Sequence, residues 1–262
     1  MVGSSVLLQY GCCPILRQLA SSQLQQDIYH STTLNWTAAS DSWNNENMLA
    51  NASEMRALVN LFHTGTRLTY SKGEFIIRPG ESPRGVFYIE QGLAKAYDIT
   101  KYGDENLLII RKTGEVMGLT WAVTGEDRHI IYTALAPTTV WLIPRDKFVQ
   151  FLRTDPVSAL PVIDMITEMY KLHSERIMTL EYRTVRERLI SFLLTTAQRF
   201  GEATSIGIKI TVPLKHQDIA SSISATRETT SRALAELERK GQIVSEQSCI
   251  TIVDEEGLHN LL

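Results

Sequence analysis

Between Thr66 and Ile143 the chain is cut into short apolar runs: FIIRP, GVFYIE, LAKAYDI, NLLIIRK, IIYTALA and TVWLI. Gly80, Gly92, Gly103, Gly114 and Gly125 punctuate them, roughly every 11 residues, the spacing of short strands joined by tight turns in a sandwich or barrel. Pro79-Gly80, Gln91-Gly92, Tyr102-Gly103 and Thr113-Gly114 are the expected turns. After Thr154-Asp155-Pro156 the period changes from two to that of a helix. Pro156 suits a first helical turn, with Thr154 or Asp155 as its cap.

From Val162 to Leu180 the positions Val162, Ile166, Met169, His173, Ile177 and Leu180 fall on one narrow stripe. A stripe of that width resembles a coiled-coil seam and predicts a homodimer built on a long central helix. The alternative is a helix packed only on its own domain. A second helix is expected near Val185 to Arg199, closed by Phe200-Gly201, then a strand in IGIKITVPL. A short helix from Lys215 to Ser222 and a tight turn lead to SATRETTSRALAEL, and QIVSEQSCITIVD reads as two strands about a polar turn. Helix, helix and hairpin in that order are a winged helix-turn-helix. The fold class is therefore α+β, with expected bounds of 51–154 for a β-roll, 155–184 for the central helix and 185–262 for the winged domain. Residues 1–50 are polar and aperiodic and read as a flexible extension.

Composition narrows the function. The net charge is −3 over 262 residues, so a nucleic-acid partner must be bound by a local patch rather than by the overall field. No apolar run reaches the roughly 18 residues that span a bilayer, and no basic region precedes the short apolar patch before Cys12, so neither a membrane partner nor a secretory signal is expected. Cys12, Cys13 and Cys249 make no disulfide framework and no zinc or iron–sulfur spacing, which fits a cytoplasmic protein. The six histidines are scattered, and no Walker loop or nucleophile elbow is present, so neither a metal site nor an enzyme is expected.

In the segment from Thr226 to Leu237, Thr226 is a good N-cap. Thr230, Ala233, Leu234 and Leu237 share an inward face, while Arg227 and Ser231, and Glu228 and Arg232, form two polar stripes on the first turns. Arginine can donate twice to guanine O6 and N7, and glutamate can accept from cytosine N4. The plainer reading is a solvated Glu228–Arg232 pair, worth a few tenths of a kcal/mol.

HQDIASSISATRETTSRALAEL, preceded by the glycine-punctuated strands, GEVMG and LHSERI, resembles the catabolite-activator/FNR family of bacterial transcription regulators. EYRTVRERLISFLLTTAQRFG is similar to its cyanobacterial nitrogen-regulator branch. The resemblance implies a cyclic-nucleotide-binding-like β-roll and a homodimer on double-stranded DNA, with RNA polymerase as partner. Arg227, Glu228 and Arg232 would read bases of a TGTGA-like half-site, with Ser231 beside them. Lys215, His216, Gln217, Thr226 and Thr229 would meet the DNA backbone. In the family's cyclic-AMP sensors a Gly-Glu-Leu step holds the ribose and an Arg-Ser pair the phosphate. The matching residues here are Gly118-Leu119-Thr120 and Arg128-His129, with His173-Ser174 on the central helix and Met169 in place of an arginine. Loss of the ribose carboxylate points away from cyclic AMP and leaves the effector unnamed, although the N–H groups of Met117 to Thr120 suit a carboxylate. Two rivals remain: a ligand-binding adaptor without DNA function, and a haem sensor using His129 and His173.

Overall fold

The structure, a computed structural model, describes residues 48–126, 129–154, 156–246 and 248–262. Helix α1 (Ala52–His63) comes first. Asn51 caps it in a capping box: its side chain accepts from Ser53 N and Glu54 N, and Glu54 Oε2 accepts from Asn51 N at 2.8 Å. Leu58 and Phe62 on its inner face are fully buried, which contributes about 1.5–3 kcal/mol each.

Eight strands follow: β1 (Thr66–Tyr70), β2 (Phe75–Ile77), β3 (Val86–Gln91), β4 (Leu93–Ile99), β5 (Glu105–Lys112), β6 (Val116–Met117), β7 (Ile131–Ala134) and β8 (Thr138–Ile143). They form two four-stranded sheets, ordered β1-β8-β3-β6 and β2-β7-β4-β5, with antiparallel pairing throughout. Ile77, Phe87, Ala96, Met117 and Val140 belong to a core that draws on both sheets. The expected turn glycines hold positive φ; at Gly92 (φ 108°) a Cβ would also stand 2.6 Å from Pro137 O, so no other residue fits. A second core joins β3, β6 and β8 to α1, to α2 (Leu119–Thr124) and to α3 (Arg145–Thr154).

The helical region starts differently from expectation. Pro156 opens a 3-10 turn (Pro156–Ala159), and the central helix α4 runs Leu160–Tyr182 with Pro161 in its first turn. Pro161 has no N–H to give to Val157, so an α-helical ladder cannot continue through it and must begin there. Helix α5 (Val185–Phe200) follows a two-residue break, capped by Thr184, with Glu187 Oε2 accepting from Thr184 N at 2.7 Å. That hydrogen bond lowers the Glu187 carboxyl's pKa.

Beyond it, β9 (Gly201–Thr204) and β10 (Gly207–Ile210) form a hairpin where one strand was expected. Helices α6 (His216–Ser222) and α7 (Arg227–Arg239) come next, then β11 (Ile243–Glu246), β12 (Cys249–Ile252) and α8 (Glu255–His259). The third sheet has the order β11-β12-β10-β9. Its core includes Leu189, Leu193, Ile219, Leu234, Leu237 and Ile252, and reaches Leu107 and Ile110 of β5.

That last contact has a backbone cause. β5 is an edge strand, whose open polar groups need partners. Arg176 of α4 donates to Leu107 O and Leu108 O, Arg199 of α5 to Ile110 O, and Leu107 N donates to Ser221 Oγ of α6. A buried charge cluster reinforces the joint. Glu115 accepts from Arg199 Nη2 at 2.7 Å and from Arg111 Nη1 at 3.3 Å, and Lys112 Nζ donates to Arg199 O at 3.4 Å. Burial, and then the Arg199 charge, lower the Lys112 pKa. Lys95 of β4 pairs with Asp218 of α6 at 3.4 Å and also with Glu105.

Candidate DNA interface and effector site

The helix pair α6–α7 is held by a buried seam of Ile219, Ala220, Ile223, Leu234 and Leu237. Asp218 Oδ2 accepts from Lys215 N at 3.2 Å at the start of α6, while Lys215, His216 and Gln217 are exposed. The turn closes with Ala225 N donating to Ala220 O, and Arg188 Nη1 of α5 reaches Ile223 O. Ser224 sits at φ 51°, the left-handed region that a glycine would occupy without strain.

Thr226 caps α7, its Oγ1 accepting from Thr229 N at 3.1 Å. The same hydroxyl donates to Thr229 Oγ1 at 3.0 Å, so it serves the helix start both ways and is not available to a phosphate without giving up a bond. Thr230 is fully buried and donates to Thr226 O, which accounts for a hydroxyl on the inward face. Arg227, Glu228 and Arg232 are exposed on the first turns. Among the described residues Glu228 and Arg232 make no ion pair; Arg232 Nη2 instead lies 3.4 Å from Thr229 Oγ1. The plainer reading as a solvated i,i+4 pair therefore has no bond to support it. Ser231 is half-buried, and its Oγ stands 2.8 Å from His216 Nδ1 of α6, a link between the two helices that sequence reasoning did not find.

The expected effector residues are not gathered in one place. Met117 is fully buried in the core shared by the two sheets, and Leu119 is buried in the second core. Both side chains are therefore core residues, and any contact of this step with an effector falls to its backbone N–H groups. Gly118 caps α2 at φ 84°, Thr120 is exposed, and His129 is exposed at φ 54°. Arg128 lies outside the described residues. Among the described residues of the expected set, His173 lines a cleft bounded by β5, α4 and α5, and Ser174, half-buried, is not part of its lining.

The seam on α4 also divides. Val162 is buried in its own chain's second core, Met169 Sδ stands 2.8 Å from Arg111 Nη2, and His173 and Leu180 face the cleft. Val162 is accordingly withdrawn from the expected seam. The large apolar side chains left exposed on α4 are Ile163, Ile166, Tyr170, Ile177, Met178 and Tyr182, so Ile166 and Ile177 of the expected stripe stay exposed while Ile163 and Tyr170 stand next to the buried or half-buried Val162 and Met169. No helix among the described residues is long and apolar enough to cross a membrane.

A winged helix-turn-helix joined by a long helix to a β-roll defines a ligand-domain-coupled DNA-binding protein class. Comparison with known proteins agrees. Residues 187–261 match the Crp-like helix-turn-helix domain family, and residues 67–155 match the cyclic nucleotide-binding domain family. The chain is 31% identical over 179 residues to the "Global nitrogen regulator" of Synechocystis sp., covering 68% of this chain and 79% of the relative. Among solved structures it is similar to FixK2 from Bradyrhizobium japonicum (TM-score 0.65, 25% identity, 75% of this chain and 96% of that one). A CooA mutant from Carboxydothermus hydrogenoformans shares the fold (TM-score 0.64, 22% identity, 77% and 89%). The chain belongs to the catabolite-activator/FNR family of transcription regulators.

Proposed function

We propose that the protein is a cytoplasmic homodimer that binds a palindromic, TGTGA-like DNA site and regulates transcription there. The observation that carries this reading is the start of α7. A capped helix start presents Arg227, Glu228 and Arg232 to solvent, with no ion pair to any of them among the described residues. Those side chains have the donor and acceptor sets for guanine and cytosine edges in a major groove. Ser231, oriented by His216, is a fourth base contact. Lys215, Gln217 and Thr229 contact phosphates, with Thr229 taking the role that the cap leaves little room for at Thr226.

The exposed stripe Ile163, Ile166, Tyr170 and Ile177 on α4 is the dimer seam, and pairing there sets two copies of α7 about one DNA turn apart. RNA polymerase is the partner that the family suggests. A β-roll effector other than cyclic AMP is favoured by Leu119, an apolar core residue where a ribose-binding carboxylate would stand. The test is fluorescence anisotropy with a TGTGA palindrome. Arg232→Ala is expected to lose about 1–3 kcal/mol of specific affinity while binding to unrelated DNA persists. Equal binding of the variant and the parent to the palindrome refutes the base-reading role.

A further inference from the structure

The cleft between β5, α4 and α5 opens beside the α6–α7 turn and has a cavity volume of about 110 Å³. One water needs roughly 10–15 Å³ on that measure, so the cleft has room for a small organic molecule. Its walls are largely apolar, with Leu108 from β5, Leu172 and Leu180 from α4, and Phe192 and Phe200 from α5. Two of the guanidiniums that line it have no carboxylate partner among the described residues. Arg176 binds only the edge carbonyls of Leu107 and Leu108, at 2.9 and 3.2 Å, and its buried Nε has no hydrogen-bond partner. Arg188 binds only the carbonyls of Arg183, Leu180 and Ile223.

Carbonyls satisfy hydrogen bonds but leave both positive charges in place, and burial alone lowers the Arg176 pKa. The third guanidinium, Arg199, is paired with Glu115, which it shares with Arg111, and with Glu168 at 3.7 Å. Glu175 lines the cleft too, but it is exposed and lies 3.9 Å from Lys171. The cleft thus combines apolar walls with net positive charge and two buried Nε groups without hydrogen-bond partners; that of Arg199 lies 3.7 Å from the Glu168 carboxylate, and that of Arg176 has no carboxylate near it among the described residues.

We propose that this cleft binds an amphipathic monocarboxylate, with its carboxylate on Arg176 and its hydrocarbon body between β5 and α5. With the Arg199 guanidinium already paired to carboxylates, Arg176 is the cation left for a ligand's single carboxylate, whereas a phosphate needs a larger donor set. The site is distinct from the Gly118–Thr120 step and from the DNA-reading residues, and it stands or falls independently of the proposed DNA site.

The test is isothermal titration calorimetry on the full chain with octanoate, octanamide and acetate. Octanoate is expected to bind saturably at one site per chain, about tenfold or more tighter than octanamide, with acetate weaker still. Arg176→Met, checked for folding by circular dichroism, is expected to bring octanoate down to the octanamide level. Ser191→Phe fills the cleft from α5 and is expected to abolish binding of both, and it decides the matter if Arg176→Met does not fold. Equal affinity for octanoate and octanamide, no binding of octanoate, or undiminished binding by Ser191→Phe overturns the proposal.

Discussion

Removing the Glu115 carboxylate is the sharpest test of how the winged domain is held. Glu115 is bonded to Arg199 at 2.7 Å and Arg111 at 3.3 Å, and all three side chains are between 6% and 9% exposed. In Glu115→Ala, Arg199 keeps Glu168 at 3.7 Å, a half-exposed partner. Arg111 keeps the Met169 sulfur and Tyr132 and loses its carboxylate. Breaking a buried pair in this way costs about 3–5 kcal/mol, because a charge is left without compensation. An exposed pair would cost about 0–1 kcal/mol.

The expected result is a loss near the upper range in urea unfolding. The double variant Glu115→Ala/Arg199→Met should be less destabilised than the sum of the single variants, by about 1–3 kcal/mol. Because Glu115 lies between β5 and β6 and Arg199 on α5, the single variant should also separate unfolding of the winged domain from that of the β-roll. A loss below about 1 kcal/mol, with additive single effects, would mean that these groups are solvated and that α5 does not pack on β5 as described.

Three further outcomes follow from local geometry. Ser224→Gly relieves a left-handed residue that costs about 1–2 kcal/mol, against about 0.5–1 kcal/mol of added glycine entropy. The urea midpoint should rise, and an unchanged or lower midpoint refutes the strain. The Lys95 pKa is raised above 10.5: burial alone would lower it, but Glu105 and Asp218 outweigh that. Its contribution is fully present below pH 10.5 and is lost as pH rises through the folded value. The stability advantage of the parent over Lys95→Met should therefore be flat at lower pH and shrink above it; an advantage that stays constant refutes the ion pair. His216→Ala removes the partner that orients Ser231 Oγ, so discrimination at the base read by Ser231 should fall by about 0.5–1.5 kcal/mol in operator competition. Unchanged discrimination refutes the link.

Much of this architecture was legible in residue patterns. Alternation and glycine turns give the β-roll strands, the periodicity from Val185 gives α5, and the cap Thr226 marks where α7 begins. Periodicity failed where two surfaces compete for one helix. α4 carries apolar residues toward its own chain, through Val162 and Met165, and away from it, through Ile163 and Ile166. Spacing alone does not say which side a partner takes. The polar joint was beyond reach for a different reason. Arg199 and Glu115 are 84 positions apart, and only the open edge of β5 explains why they meet. Arg111-Lys112 at the end of NLLIIRK is the visible signal, two charges closing a largely apolar strand. Helix α1 went unnoticed because its capping box sits in a polar stretch with only Leu58 and Phe62 buried.

The central claim is that the first turn of α7 reads bases. Binding-site selection from random double-stranded DNA, with the full chain, tests it most directly. The account predicts enrichment of a palindrome with TGTGA-like half-sites about one helical turn apart, and loss of the guanine preference in Arg232→Ala. Retention of sequences without a palindrome, or the same enriched site in parent and variant, would contradict it.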